Sequence, residues 1–174
     1  RSALIEAAFD QGASIDRVID VGTGTVALAQ ALLDRTAPPA ALTLMDMSAA
    51  MLAKAAERLP ATRLIEAPLG AQLDDLPAQD VVLCAHVIEH CPDAAQAVAA
   101  LFDMTAPGGR LILAVSKPHR CTALVRWRWG NAAFQPEDVC TMLRTAGFSD
   151  VTVHRFQSGP PSRVSCGYIA RRPD

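Results

Sequence analysis

The sequence lacks several features that mark whole classes of protein. Its five cysteines are an odd number and form no Cys-x-x-Cys pair, so neither a disulfide framework nor a zinc site is indicated. No apolar run approaches the roughly 20 residues that cross a bilayer, and no basic segment followed by an apolar one resembles a signal peptide. These absences predict a cytoplasmic protein with no membrane span and no bound metal.

An excess of positive charge and any internal repetition are also missing. The formal net charge is −2 and the pI is near 6.1, which argues against a dedicated nucleic-acid binder. No repeat, low-complexity tract or linker divides the 174 residues, a length typical of one domain. We therefore predict a single domain over residues 1–174. Because the chain begins at Arg1 rather than at Met, we expect it to be truncated at its N-terminus.

Apolar segments and helical patterns alternate along the chain. Strands are predicted over residues 18–21, 42–45, 63–65, 80–85 and 110–115, with helices between them, the first over 26–33. Two more predicted strands, 151–156 and 163–170, are joined by a connection too short for a crossover helix, so they should pair as an antiparallel hairpin. The alternation favours a doubly wound α/β sheet with helices on both faces.

A glycine-rich turn follows the first predicted strand, in the sequence VIDVGTGT of residues 18–25. In doubly wound sheets the first strand–helix turn is the usual ligand contact. Gly22 and Gly24 have no Cβ atom, so the backbone can turn tightly and a ligand can approach the amides at the start of the next helix. A tight turn that binds nothing would look the same, so the turn alone does not decide.

Asp46, at the end of the second predicted strand, is a second indication. A carboxylate at this point can accept hydrogen bonds from both hydroxyls of a ribose, although it could also be an ordinary residue at a helix start. Together the turn and Asp46 predict an adenosine-containing ligand. A nicotinamide dinucleotide stays open here, because Gly22, Gly24 and Ala27 also fit the dinucleotide fingerprint.

Asp20 and three longer segments resemble class I S-adenosylmethionine-dependent methyltransferases. That family's first motif has an acidic residue two positions before its first glycine, as Asp20 precedes Gly22, whereas a pyrophosphate-binding turn gains nothing from a carboxylate there. The other segments are DVVLCAHVIEHCPD (80–93), LFDMTAPGGRLILAV (101–115) and AGFSDVTV (146–153). The resemblance implies a mostly parallel, seven-stranded, Rossmann-like sheet of order 3-2-1-4-5-7-6 with an antiparallel terminal strand.

The resemblance also implies which residues would bind the cofactor S-adenosylmethionine. They are Asp20, Gly22, Thr23, Gly24, Asp46, Met47, Pro68, Leu69 and Ala85. The glycine turn would surround the methionine moiety, Asp46 would bind the ribose, and the carbonyl of Ala85 would face the ammonium group. Met47 would lie against adenine, or it could simply fill the core. Pro68 and Leu69 would meet the adenine edge.

Two positions depart from the family's pattern. Val26 stands where the motif has its third glycine; that position mostly serves helix packing, so we expect valine to be tolerated while narrowing the turn. Pro68 replaces an Asp that often faces the adenine amine, so adenine would be read by backbone groups such as the Leu69 amide. These departures leave two alternatives open: a domain of the same fold that has lost turnover, and a nicotinamide-dependent oxidoreductase.

His86 is the candidate catalytic residue, because it follows the fourth predicted strand on the side where the resemblance places methyl transfer. The reactive sulfonium chiefly needs an acceptor aligned in a dry cavity, so a general base is optional. Imidazole suits that role at neutral pH, although His86 could simply shape the pocket. Glu89 and His90 look like a metal or acid–base pair, but in similar sequences this His belongs to the packing of the turn, and no metal is assigned.

Residues 116–135 form the least regular stretch, in the position where this family places substrate contacts. Its cationic and aromatic side chains are Lys117, His119, Arg120, Arg126, Trp127, Arg128 and Trp129. Such groups can bind an anionic or aromatic acceptor, although the tryptophans could equally cover the sheet edge. The resemblance is to the branch that methylates an O, N or C atom of small molecules, including quinone and lipid precursors. Few residues precede Asp20, so we expect an open pocket that is completed by missing N-terminal residues, by a second copy or by a partner subunit.

Overall fold

The structure is a computed structural model that describes residues 2–118, 133–156 and 164–174. Its strands are β1 (Arg17–Val21), β2 (Ala41–Asp46), β3 (Arg63–Glu66), β4 (Gln79–Ala85), β5 (Thr105–Ser116), β6 (Ser149–Arg155) and β7 (Ser165–Arg171). Its helices are α1 (Ser2–Ala8), α2 (Ala27–Leu33), α3 (Ala49–Ala56), α4 (Ala94–Met104) and α5 (Pro136–Thr145), with one 3-10 turn over Ile88–His90.

The strands form a seven-stranded sheet in the order β3-β2-β1-β4-β5-β7-β6. The pairs from β3 to β5 are all parallel, whereas β7 runs antiparallel to both β5 and β6. The strand order and the antiparallel terminal hairpin confirm the predicted α/β fold. The order reverses between β1 and β4, so the connections after these two strands lead to helices on opposite faces of the sheet and leave between them the crevice where ligands bind in such sheets.

Helices cover both faces of the sheet because the side chains of each central strand alternate between two apolar layers. Val18 of β1 packs in the layer that contains Leu28 of α2 and Leu52 of α3. Its neighbour Ile19 packs in the opposite layer, together with Val98 of α4 and others from α5. The sheet is therefore buried from both sides, which explains the continuous apolar runs of β1 and β4.

Local sequence signals set the starts of three helices. The hydroxyl of Ser48 accepts a hydrogen bond from the Met51 amide at the start of α3, and Asp93 accepts bonds from the Ala95 and Gln96 amides at the start of α4. Pro136 occupies the first turn of α5, where its missing N–H costs nothing. Among the described helices, none has the length and apolarity needed to cross a bilayer.

Two predicted element boundaries were wrong. Strand β5 begins at Thr105 rather than at residue 110, because the Pro-Gly-Gly segment continues the strand where the pairing with β4 shifts register after Gln79. Helix α2 begins at Ala27, and Val26 lies outside it as the N-cap residue. The predicted connection between the last two strands falls in residues 157–163, outside the described residues.

Helix α1, for which the sequence analysis made no prediction, lies against the sheet. It packs on α2, β5 and β7, with Leu4 and Ile5 almost completely buried. Arg110 of β5 reinforces this contact, since its guanidinium donates to the Ala8 carbonyl and lies 5.3 Å from the centre of the Phe9 ring. The described N-terminal residues are thus part of the core.

Candidate functional site

The glycine turn joins the carboxyl end of β1 to α2. The amide of Gly22 donates to the Met45 carbonyl at 2.7 Å, which fixes the turn to the end of β2. Gly22 has φ 66° and a side chain there would collide with Val87, so protein packing requires this glycine. Gly24 has φ 45°, and an added Cβ would meet only the Gly22 carbonyl at 3.7 Å. The open space beside Gly24 is where a ligand can approach the backbone.

Asp46 spans the mouth of this turn. Its Oδ2 lies 3.5 Å from the Gly24 amide, and its Oδ1 accepts a hydrogen bond of 3.0 Å from the Ser48 amide. These contacts hold the half-buried carboxylate between the glycine turn and the start of α3, with lone pairs left to accept other donors. This geometry fits the predicted contact with ribose hydroxyls.

Thr23 adds a polar group beneath the turn. Its side chain is buried, and within the described residues its Oγ1 makes no hydrogen bond. A buried hydroxyl without a partner costs about 1–3 kcal/mol, so such groups commonly belong to binding sites. The open side of Gly24, the Asp46 carboxylate and the Thr23 hydroxyl together fit a polar ligand that carries a ribose.

Two buried carboxylates lie below the crevice, Asp20 in β1 and Glu89 in the turn after β4. Their combined effect is visible at Cys84, whose pKa is raised by burial first and then by the negative charges of Glu89 and Asp20. Cys84 therefore stays a neutral thiol, and the crevice floor carries negative charge. Such a floor favours a ligand with positive charge.

Val26 adopts a left-handed backbone conformation, with φ 52° and ψ 21°. The expectation that the third motif glycine serves mostly helix packing was therefore incomplete, because the position also requires positive φ. A β-branched residue in this region is strained by about 1–2 kcal/mol. Val26 offsets this strain by packing its side chain almost fully in the core with Leu28 and Leu52.

His86 follows β4 and lies between two other polar residues. Its φ is 59°, and its amide donates to the Ala114 carbonyl of β5 at 2.9 Å. Its Nδ1 lies 3.1 Å from Oε1 of Glu89 and 3.2 Å from Oγ of Ser116. Oε1 of Glu89 also accepts the Ser116 amide at 2.6 Å. His86, Glu89 and Ser116 are hereafter the His86 cluster.

The connection between Glu89 and His86 was not predicted from the sequence. The signal was their spacing of three residues in His-Val-Ile-Glu-His, which a single helical turn brings together. His90, the residue grouped with Glu89 from the sequence, is exposed instead. No three His, Cys, Asp or Glu side chains in the described ranges gather into a group that could hold a metal ion.

The pKa of Glu89 lies below its ordinary value despite the burial of the side chain. Burial alone would raise the pKa, but the hydrogen bonds from His86 and from the Ser116 amide outweigh it, assisted by the His86 charge. Glu89 is consequently ionised at neutral pH. Within the described residues its Oε2 has no hydrogen-bond partner.

The predicted adenine contacts lie on the far side of Asp46. Met47 is 76% exposed, so the alternative that it fills the core is wrong. Pro68 is exposed, whereas Leu69 is half-buried against the core. The loop that carries them is tied to β2, because the Ala67 amide donates to the Asp46 carbonyl. This places the loop beside Met47, and the contacts with adenine stay a prediction.

Ala85 and the described ends of the predicted substrate segment lie next to the His86 cluster. Ala85 ends β4 and is half-exposed at the crevice. In the segment 116–135, the Phe134 amide donates to the Ser116 carbonyl and the Lys117 amide donates to the Val164 carbonyl. Residues 119–132, which include the predicted Arg and Trp contacts, lie outside the described residues.

The strand order defines a Rossmann-like domain, with the glycine turn and the carboxylate of Asp46 at its crevice. Residues 19–111 match a family model described as a methyltransferase domain. The chain belongs to this methyltransferase family, which confirms the resemblance found in the sequence.

Individual relatives agree with this assignment. The chain is 34% identical to trans-aconitate 2-methyltransferase of Variovorax paradoxus over 59% of its length and 38% of the relative's. It is also 34% identical to the protein of that name from Rhodopseudomonas palustris, over 68% of the chain and 45% of the relative. The chain thus spans less than half the length of these curated relatives.

A solved structure supports the fold. The N-methyltransferase NodS from Bradyrhizobium japonicum, in complex with S-adenosyl-l-homocysteine, superposes with a TM-score of 0.74 at 19% identity. The superposition covers 98% of this chain and 83% of NodS. The likeness therefore extends through the whole sheet, including the terminal hairpin.

Proposed function

We propose that this chain binds S-adenosylmethionine and transfers its methyl group to a small-molecule acceptor. The observation that carries the proposal is the position of Asp46, whose carboxylate is held at the Gly24 amide beside the open face of the glycine turn. Membership of the methyltransferase family supplies the reaction class. The bound sulfonium would supply the methyl group.

Residues at the ends of three strands would each bind one part of the cofactor. The turn of Asp20, Gly22, Thr23 and Gly24 would hold the methionine moiety, with Ala85 offering its carbonyl to the ammonium group. Asp46 would accept the ribose hydroxyls. The negative floor beneath the turn supports this assignment, because the cofactor carries a sulfonium and an ammonium charge.

Adenine would lie between Met47 and the loop of Pro68 and Leu69. The exposure of Met47 supports this role, since a large apolar side chain in water gains from covering a ring face. The Leu69 amide would read the ring edge, because Pro68 has neither an amide proton nor a carboxylate.

The acceptor is proposed to be a small anionic or aromatic molecule. The two curated relatives are named for trans-aconitate, so a small polycarboxylate is the first acceptor to assay. Segment 116–135 would contribute the cationic contacts, and a second copy or a partner subunit would complete the pocket. His86 would serve as general base when the acceptor is a hydroxyl or an amine. We further propose a cytoplasmic location, which suits the free thiols of Cys84, Cys91, Cys140 and Cys166.

Calorimetric titration tests the cofactor assignment. S-adenosylmethionine should bind to the purified chain, and NAD should give no heat of binding. Asp46→Ala should weaken the binding about tenfold or more, because two hydrogen bonds to a charged group are lost. Asp103→Ala, an exposed carboxylate on α4, is the matched control and should leave the affinity unchanged. Binding of NAD, or equal affinity in Asp46→Ala, would contradict the proposal.

A methylation assay tests turnover. Trans-aconitate and a panel of small hydroxy and amino acids would be incubated with S-adenosylmethionine, and formation of S-adenosylhomocysteine would be followed. Turnover with any acceptor removes the alternative of a non-catalytic domain. Cofactor binding without turnover on any acceptor of the panel would favour that alternative.

A further inference from the structure

Glu89 is fixed by the strand next to its own. It lies in the 3-10 turn after β4, yet its Oε1 accepts the amide of Ser116 at the end of β5, at 2.6 Å. Only 2% of its side chain is exposed. A buried carboxylate needs charge-assisted partners to stay in the fold, and the partners it has here are the Ser116 amide and the imidazole of His86.

The contact between Glu89 and His86 determines where the ring proton lies. An ionised carboxylate is only an acceptor, so the proton shared across the 3.1 Å contact belongs to Nδ1 of His86. The Ser116 hydroxyl at 3.2 Å can accept the same proton. In the neutral imidazole, Nε2 then carries the lone pair. No hydrogen bond to Nε2 occurs in the part of the chain that the structure describes.

The backbone also holds the ring in place. His86 lies in the left-handed region, where His is commoner than most residues other than glycine, and its amide is bonded to β5. About a third of the side chain is exposed, 34%, at the carboxyl edge of the sheet. Nδ1 is turned toward Glu89 and Ser116, and Nε2 is the ring nitrogen left for a partner outside this cluster. Strained, over-determined residues of this kind cluster at functional sites.

We propose that Glu89 is a positioning residue that holds His86 in the Nδ1–H tautomer and leaves Nε2 as the proton acceptor for the methyl-accepting group. This inference rests on the proposed function. The proton would leave the hydroxyl or amine of the acceptor for Nε2, and the acceptor would keep the electron pair that forms its new bond to the methyl carbon. The bond from that carbon to sulfur would break, with its electron pair left on the neutral thioether that departs. The Glu89 carboxylate would stabilise the resulting imidazolium, as the buried carboxylate does in other carboxylate–histidine pairs.

A purely structural role for Glu89 is the competing explanation. In that case Glu89 would only tie the turn after β4 to the Ser116 amide, and the His86 tautomer would not depend on it. The thiols of Cys84 and Cys91 lie near Glu89 and stay neutral, because burial and then the Glu89 charge raise the pKa of each. Neither thiol donates to His86 in the described residues.

The test is the ¹⁵N spectrum of the histidine rings in the whole purified chain, without cofactor or acceptor, recorded at a pH high enough that the rings are neutral. In the wild-type protein, His86 should show protonated Nδ1 and unprotonated Nε2, the reverse of the tautomer that free histidine prefers. His90 is the internal control, because it is exposed and should show the free pattern. A wild-type His86 signal with Nε2 protonated would overturn the proposal.

Two substitutions separate the partners of Nδ1. Glu89→Gln retains a carbonyl for the Ser116 amide but removes the charge, and it should lower the Nδ1–H to Nε2–H ratio of His86 about fivefold. Ser116→Ala removes the hydroxyl but not the amide, and it should leave the tautomer as in the wild type. An unchanged ratio in folded Glu89→Gln, or loss of the Nδ1–H tautomer in Ser116→Ala, would overturn the proposal. If Glu89→Gln does not fold, the wild-type and Ser116→Ala spectra still decide.

Kinetics provides a second readout once a hydroxyl or amine acceptor is identified. Glu89→Gln should lower kcat by about tenfold to a hundredfold, in line with the loss of support for a general base, and should raise the Kd of S-adenosylmethionine by a clearly smaller factor, since one charge of the crevice floor is removed. Equal loss of cofactor affinity would indicate a structural role and overturn the proposal. Failure of the proposed function shows separately, as absence of cofactor binding in the wild type, whatever tautomer His86 has.

Discussion

Val87 occupies the space in which a side chain at Gly22 would lie, since a Cβ built on Gly22 falls 2.2 Å from Cγ2 of Val87. The glycine turn after β1 and the turn after β4 are therefore in direct contact. The first glycine of the motif is required by this contact between the two turns, in addition to any requirement of the ligand.

This contact predicts that shortening Val87 restores part of the stability that a side chain at Gly22 removes. Gly22→Ala should destabilise the fold by about 3 kcal/mol or more, from the overpacking and from a positive φ that alanine adopts at a cost. Val87→Ala alone should cost about 1–2 kcal/mol, because Val87 is only half-buried.

The double variant should be more stable than Gly22→Ala alone, with the remaining loss set by the backbone strain. Urea unfolding of the wild type, the two single variants and the double variant gives the interaction energy between the two substitutions. Strict additivity of the two losses would show that the two turns do not touch in solution.

A second prediction concerns the strained Val26. Val26→Ala removes two buried methyl groups but keeps the positive φ, so it should lose about 1–2 kcal/mol. Val26→Gly removes one more carbon yet relieves the strain, and it should be as stable as Val26→Ala or more stable by about 1 kcal/mol.

The control for Val26 is Ala29→Gly, within α2, where glycine should lose about 1 kcal/mol by the ordinary helical penalty. Thermal unfolding of these variants gives the comparison. If Val26→Gly is less stable than Val26→Ala by the amount that Ala29→Gly loses relative to the wild type, the left-handed conformation at Val26 is not populated.

A third prediction uses the exposure of Met47. Met47→Ala should change the free energy of unfolding by less than about 0.5 kcal/mol, as exposed side chains do. The affinity for S-adenosylmethionine should fall about threefold to tenfold, because the apolar cover of the adenine ring is lost. Leu64→Ala, another exposed apolar side chain, is the control and should change neither quantity. Unchanged affinity in Met47→Ala would remove Met47 from the cofactor site.

A fourth prediction follows from the lowered pKa of Glu89. The carboxylate of the folded protein holds its charge below the ordinary value of 4.5, so its stabilising effect is fully present above that pH and is lost as the pH falls through the folded-state pKa. Glu89→Gln should be less stable than the wild type by about 1–2 kcal/mol at neutral pH.

The difference in stability between wild type and Glu89→Gln should shrink as the pH falls below 4.5, where the Glu89 carboxylate itself takes up a proton. Denaturant unfolding at a series of pH values below 4.5 measures it, with exposed Glu57→Gln as the control. A difference that grows as the pH falls below 4.5 would mean that burial, and not the hydrogen bonds, dominates at Glu89.

The fold was predictable because its signals are local and consistent. The apolar runs of β1 and β4, the caps at Ser48 and Asp93, and the short final connection each specify an element, and the order of the motifs specifies the sheet. The glycine turn and Asp46 were predictable for the same reason, since both follow strands whose carboxyl ends meet at one edge.

What the sequence could not provide was the pairing of side chains across elements. Glu89 contacts Ser116 only because β4 and β5 are neighbours in the sheet. The two residues are far apart in the sequence, so their contact could not be predicted from it. The positive φ of Val26 was hidden because valine is a residue that rarely adopts it. The exposure of Met47 likewise depends on where β3 and its loop lie beside β2.

The end of β5 has a consequence for how new specificities could arise in this protein. Ser116 receives the Phe134 amide on its carbonyl while its own amide is bound to Glu89, and Lys117 is bonded to Val164. The described ends of the segment that follows β5 therefore meet at one point of the sheet, two strands from β1. Replacing the residues between these ends should leave the bonds at Ser116 and the strands that carry the glycine turn and Asp46 in place.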